Sequence, residues 1–370
     1  MNRAETQPLH PRTKLGATVP VDLVRFDPKL ASRDEWDRFH AYFRERHREA
    51  NPDDPPTDDA TVEAMLRRGD PDSEEIRFVG FDPARPDVLV SSLFFETIRP
   101  DSPSYKGNEH IVWAGVSVLT PNRRKGIGRT MLAKVAELAR EHHRATIQGS
   151  SEEDDGKVFV HAIGAQVAQQ GLENRLYVDQ IDWPMLESWD AGGAARNPRT
   201  SLRWCVGRID DDILVPFSTA LTEVFNQQPF GEIERSDFIF TPETVRKRED
   251  SFLGVGGTVI TAMTEEPEGD VSGLTQMGYL PSDGPIIHQW MTGVRQTHRG
   301  RGLGKWVKAA MLLRVRRDLP QVRIVTTGNA TTNEAMLSIN KRLGFRVHRE
   351  RVGAQIKLDA LETYLRMKSA

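Results

Sequence analysis

The chain has 370 residues, of which 38% are hydrophobic and 28% charged, and its formal net charge is −3. That length and balance suggest a soluble protein of two or three domains with real cores. The small net charge gives no whole-protein attraction to nucleic acid or to an anionic membrane.

In chain order, residues 1–20 read as a flexible tail that lacks the apolar stretch of a signal peptide. Nowhere does the chain reach the ~18 apolar residues needed to span a bilayer. A strand is expected at Val21–Phe26, then an amphipathic helix at Glu35–Arg48 with Trp36, Phe39, His40 and Phe43 on one face. After the Pro- and Asp-rich breaker Asn51–Asp58 comes a helix at Ala60–Arg68. Strands are expected at Ile76–Phe81, Val88–Thr97 and Ile111–Leu119. A glycine turn then opens a helix carrying Ile127, Met131, Leu132, Val135 and Leu138 at helical spacing. A strand at Ala145–Gly149 and a helix at Val158–Ala168 complete the unit.

The second half repeats this order. It has a strand at Leu202–Val206, a helix at Ile213–Asn226 and a helix capped by Thr241 with Pro242 at its first position. Strands follow at Gly254–Thr264 and Ile286–Val294. A second glycine turn opens a helix with Leu303, Trp306, Val307, Ala310 and Met311, and Val322–Thr327 and Thr332–Arg342 are the next strand and helix. The loop chemistry of Asp190–Thr200 places the boundary there, giving domains of residues 21–190 and 200–370. One cysteine, Cys205, excludes an internal disulfide framework and fits a cytoplasmic protein. In the strand-like run LRWCV it reads as a small buried residue.

The two turns carry the chemistry. They read RRKGIG from Arg123 and RGRGLG from Arg299, each between a strand and a helix. Alternate glycines let backbone approach a ligand closely, and a helix start aims unpaired N–H groups and a positive dipole end at an anion. Arginine and lysine add charge-assisted bonds suited to phosphate. Neither GxGxxG nor GxxxxGK[ST] is present, which argues against dinucleotide and P-loop folds. The acidic run Glu152–Asp155 suits a helix start. His142 and His143 lack partners at metal-ligand spacing, so no metal is expected. Asn333 has the position of a helix cap.

From His288 to Phe345 the chain reads VRQTHRGRGLG, a helix, VRIVTT, then NATTNEAMLSINKRLGF. This stretch resembles the GNAT superfamily of N-acetyltransferases. The first half, with VSVLTPNRRKGIG and FVHAIGA, resembles it less completely. Together they look like a tandem acetyltransferase, similar to mycothiol-synthase-like two-domain actinobacterial proteins. The resemblance implies two α/β (α+β) domains, each a mixed twisted sheet flanked by helices, that use acetyl-CoA. It implies that Arg299, Gly300, Arg301, Gly302, Leu303 and Gly304 hold the pyrophosphate. Val294 would offer backbone to pantetheine and to the oxyanion, and Asn333 would bond the pantetheine arm. Val118, Arg123, Arg124, Lys125, Gly126, Ile127 and Gly128 are the first-half counterparts.

The acceptor amine must lose a proton to react, and His288, on the strand before the turn, is the candidate base. Val112 stands at the equivalent first-half position, so the first domain is expected not to catalyse. The family's tyrosine acid is replaced by Asn340, with Tyr279 or Tyr364 as possible substitutes. Glu232 and Glu234, in the segment GEIERSDF, are expected to border the acceptor groove and suit a cationic acceptor. The expected function is direct acetyl transfer from acetyl-CoA to a primary amine of a small molecule or to a peptide N-terminus, by a monomer or homodimer. Two alternatives stay open: a non-catalytic CoA sensor, and an aminoacyl transferase, which would need a basic surface.

Overall fold

A computed structural model describes residues 21–367; the expected tail lies outside the described residues. The first half comprises β1 (Asp22–Arg25), α1 (Arg33–Ala50), α2 (Asp59–Arg68), β2 (Ser73–Asp82), β3 (Arg85–Ile98), β4 (Ile111–Val118), α3 (Ile127–Glu141), β5 (Thr146–Ser151), α4 (Asp154–Ala162), β6 (Gln166–Tyr177) and α5 (Trp183–Arg196). The second half repeats that order as β7 (Ser201–Val206), α6 (Leu214–Asn226), α7 (Pro242–Leu253), β8 (Thr258–Glu265), β9 (Val271–Tyr279), β10 (Ile286–Val294), α8 (Leu303–Asp318), β11 (Ile324–Ala330), α9 (Glu334–Leu343), β12 (Arg346–Lys357) and α10 (Leu358–Met367).

Helix starts follow their capping chemistry. Ser32 and Glu35 form a reciprocal capping box on α1, Asp58 accepts from the Thr61 N–H on α2, and Thr241 accepts from the Thr244 N–H ahead of Pro242 on α7. Cys205 is buried and free. Among the described residues, no helix is long and apolar enough to cross a membrane.

The twelve strands form one mixed sheet in the order β1-β2-β3-β4-β5-β12-β6-β11-β10-β9-β8-β7. The two halves therefore exchange their last strands: β12 pairs with β5, and β6 pairs with β11. Their helices follow. Ile356 and Leu361 of β12 and α10 join the core formed by α3, while Leu176 and Leu186 of β6 and α5 join the core formed by α8.

Three sequence expectations change. The helix expected at Val158–Ala168 stops at Ala162, and β6 takes over. The stretch read as loop at Asp190–Thr200 is helical to Arg196. Its Gly193 is a close-packing residue, since a Cβ there would sit 2.3 Å from the Trp306 ring. Strand β9 carries no alternation because both faces are buried, so its sequence gives no period of two.

Candidate functional site

Each half contains a forked pair of parallel strands. In the second half, β10 and β11 pair only from Ile286↔Ile324 to Gln289↔Thr327; β10 then stays with β9 to Val294, and β11 follows β6 to Ala330. In the first half, β4 and β5 pair from Ile111↔Thr146 to Trp113↔Gln148 and then part. A fork leaves ladder groups on its inner edges that a ligand chain can satisfy. Each glycine turn closes the open end of its fork.

The turns share one backbone shape. Gly126 and Gly302, each immediately before its helix, have φ of 86° and 80°. Two residues earlier Gly300 has φ 82°, and its counterpart Arg124 is forced to φ 61°. That left-handed region favours glycine, so the second turn is relaxed where the first is strained. Leu303 and Ile127 point into their cores, leaving only backbone for a ligand. Gly304 faces Val294 and Ile339, and Gly128 faces Phe159.

The cations divide differently from the expectation. Arg301 does not face outward as a phosphate ligand. Its guanidinium donates to Asn197 (3.0 Å), Thr200 (2.6 Å) and both oxygens of Glu266 (2.9 and 3.1 Å), tying the turn to the chain before β7. Arg299 is exposed and donates to Gln227 Oε1 at 2.6 Å. Arg196 of α5, which the sequence reading missed, reaches within 3.3 Å of where a Gly302 Cβ would stand. In the first half, Arg124 and Lys125 are exposed. Arg123 is held by Glu153 (2.9 Å) and Asp155 (2.8 Å), and its Nε donates to the Val118 carbonyl at 3.1 Å. The acidic run thus starts α4 and also neutralises the first-half arginine.

His288 sits at the vertex of the second fork, opposite Thr326. Its Nε2 lies 3.0 Å from Asp283 Oδ2 and its Nδ1 lies 2.9 Å from Thr326 Oγ1. A carboxylate on Nε2 holds the proton there, so Nδ1 accepts from the threonine hydroxyl. The ring is 44% exposed and lines a cavity of about 650 Å³. The cavity walls include Gln289, Trp290, Thr327, Asn329 and Asn333 of the second half, and His47, Asn51 and Asp54 from the α1–α2 region of the first. Asp54 is anchored by a bidentate pair to buried Arg175, at 2.7 and 2.6 Å. The first half therefore roofs the second half's fork.

The ladder of β10 with β9 shifts between Gln289 and Met291, so Trp290 is a bulge residue without a strand partner. The bulge shifts the alternation of side chains along β10 between His288 and Val294. Trp290 packs edge-on against Phe252, with ring centroids 4.7 Å apart. Val294 is six residues from His288, on the order of 18 Å along a strand. The two cannot act on one carbonyl. Asn333 caps α9 by accepting from the Met336 N–H at 3.3 Å, while also lining the cavity.

The acidic pair expected at the acceptor groove lies elsewhere. The loop between α6 and α7 crosses onto the first half. There Glu234 lies 2.9 Å from His110, accepts from Thr146 at 3.0 Å, and pairs with Lys357. The Gln148 amide donates to the Glu234 carbonyl at 2.6 Å. Glu232 accepts from Gln166 Nε2 at 2.7 Å. Glu234 thus occupies the vertex of the first fork, where Thr146 and Gln148 stand. The Lys357 bond, helped by His110 and Thr146, holds its carboxyl down at about 2. Beyond that plug, the first turn keeps a cavity of about 700 Å³ lined by Arg46, Arg123, Arg124, Arg129 and Arg349 with Val116, Val118 and Phe159.

Neither tyrosine supplies an acid to the second fork. Tyr279 is buried and donates to the Gly284 carbonyl at 3.0 Å, and Tyr364 lines the first-half cavity. Asp283, Thr326 and Asp54 escaped the sequence reading because their roles depend on strand register and loop crossing. A carboxylate five residues before His288 was the one local signal.

No protein-family model matches the sequence, and no curated protein does. Solved structures do match. A tandem GNAT protein from the clavulanic acid biosynthesis pathway superposes with a TM-score of 0.71 at 23% identity, covering 91% of this chain and 98% of that one. A GCN5-related N-acetyltransferase from Sphaerobacter thermophilus gives 0.61 at 15% identity over 92% and 96%. The N-myristoyltransferase of Saccharomyces cerevisiae, with bound myristoyl-CoA, gives 0.55 at 10% identity over 92% and 79%. The chain has the mixed α/β fold of the tandem GNAT proteins.

Proposed function

We propose that the protein transfers an acyl group, acetyl in the simplest case, from a CoA thioester to a primary amine at the fork of the second half. The observation that carries this reading is the Asp283–His288–Thr326 array at the fork vertex, open to the cavity between the halves. In this reading the backbone of Gly300–Gly304, with Arg299 and Arg196, holds the CoA phosphates. The pantetheine arm completes the inner edge of β10.

An amine bound in the cavity attacks the thioester carbon, the C–S bond breaks, and water protonates the departing thiolate. The amine proton passes to the Thr326 oxygen as the threonine proton passes to His288 Nδ1, and Asp283 stabilises the imidazolium. The backbone at the Trp290 bulge, rather than Val294, supplies the oxyanion donor, because it lies at the vertex.

A second role follows for the first half. Its cavity has room for CoA and keeps Arg124 exposed at the turn, though Glu152, Glu153 and Asp155 share its wall, and Glu234 blocks its vertex, so it binds without transferring. The reading is tested by thiol release from acetyl-CoA across a panel of amines and amino-terminal peptides. Amine-dependent release is expected. Tight CoA binding with no release for any amine would favour a sensor.

A further inference from the structure

Lys308 of α8 is 2% exposed, and no carboxylate pairs with it among the described residues. Replacing a buried amine by an apolar side chain usually stabilises a fold, so an unpaired one needs a reason. Its surroundings give a direction. Lys308 Nζ donates to Asn340 Oδ1 on α9 and lies 5.1 Å from the Phe345 ring centroid. Asn340, also 2% exposed, donates from Nδ2 to Asn329 Oδ1 at 2.7 Å. Asn329 stands on β11, two residues beyond the last pair of the fork, and lines the cavity.

The order of donors is fixed from the buried end. The Lys308 amine donates to the Asn340 oxygen, which leaves the Asn340 amide N–H for Asn329. Asn329 must then accept through its oxygen. Its own Nδ2, with no partner among the described residues, is left at the cavity wall.

We propose that Lys308 and Asn340 are positioning residues that hold the Asn329 amide as a hydrogen-bond donor to the sulfur of CoA as it leaves. The proposal rests on the acyl-transfer reading and adds the group that receives the leaving thiolate. An amide donates a hydrogen bond without transferring its proton, so the thiolate is stabilised at the wall and protonated later by water. Burial pushes the Lys308 amine down to about 7, as expected for a group kept where its charge is poorly solvated.

The test uses CoA itself. Ultraviolet titration of the thiol of CoA bound to the whole protein reports ionisation without turnover. In the wild type the bound thiol should ionise on the order of one pH unit below free CoA, tenfold in its ionisation constant. Lys308→Met and Asn329→Ala should both bring it back to the value of free CoA. Lys308→Met should melt no lower than wild type and lose about tenfold in kcat with KM for acyl-CoA unchanged. If Lys308→Met does not fold, Asn329→Ala, at the cavity wall, decides alone. A wild type that binds CoA and transfers, with variants of identical thiol ionisation and kcat, would overturn the array and leave the acyl-transfer reading standing. A wild type that neither binds CoA nor transfers would overturn both.

Discussion

At the scale of residues, the second fork is defined by what each polar group can still do. Arg301 reads as a phosphate ligand in the sequence, yet its guanidinium is occupied by Asn197, Thr200 and Glu266. Arg299, bonded among the described residues only to a neutral glutamine, keeps its charge for an anion. His288 has both ring nitrogens engaged, so a proton reaches it through the Thr326 hydroxyl. Thr326→Val keeps the shape and removes the relay. We expect kcat to fall about tenfold, the worth of one hydrogen bond of ~1.4 kcal/mol, with KM for acyl-CoA little changed. A steady-state comparison of the two proteins checks it; an equal or higher kcat would show that the hydroxyl only obstructs Nδ1. His288 was legible because it precedes the turn on an evident strand. Thr326 was not, because facing it requires the parallel register of β10 with β11.

Two elements distinguish the halves. The first is the turn. A Cβ at Gly304 would stand 3.6 and 3.8 Å from Val294 and Ile339, ordinary contact, and the γ carbons of a valine would add bulk at the mouth of the fork. Gly304→Val should raise the KM for acyl-CoA strongly, and Gly128→Val in the first half should leave transfer near wild type, provided both proteins melt normally. The reverse pattern would mean that the active and idle halves are exchanged. The second element is the α6–α7 loop, which plugs the first fork through Glu234. The carboxyl is held at about 2 against an ordinary 4.5, so its stabilising contribution is complete above about pH 4.5 and disappears as pH falls toward 2. Glu234→Gln should therefore lower the Tm at pH 7 and converge with wild type near pH 2. Melting curves across that range check the sign; a constant difference would show that the charge is not what the loop uses. The sequence places this segment at the acceptor groove, because nothing local says which half it crosses to.

At the scale of the molecule, the repeat of element order was readable from the two turns, whereas the exchange of last strands was not. β6 and β12 are rich in charged and amide residues, and their partners lie far off in the chain, so neither periodicity nor turn chemistry announces them. The consequence is physical. A segment starting at residue 200 lacks β6, which pairs with β11, and α5, which covers α8 through Trp306. Its β12 also loses β5. Such a segment, 200–370, should be unfolded or aggregated when expressed alone, because it exposes a central strand edge and a helix face. Circular dichroism and light scattering would show this; a folded, monomeric segment would contradict the interdependence of the halves. The same interdependence places Asp54 and His47 of the first half over the second half's fork, so this cavity exists only in the assembled pair.

The central claim is that chemistry occurs at the second fork with His288 as base, and amine-dependent thiol release by His288→Ala beside wild type tests it most directly. Removing the group on which the relayed proton ends should lower kcat by roughly 10²–10⁴-fold while CoA binding, measured on the same preparation, stays intact. A variant that transfers at the wild-type rate would place the chemistry elsewhere.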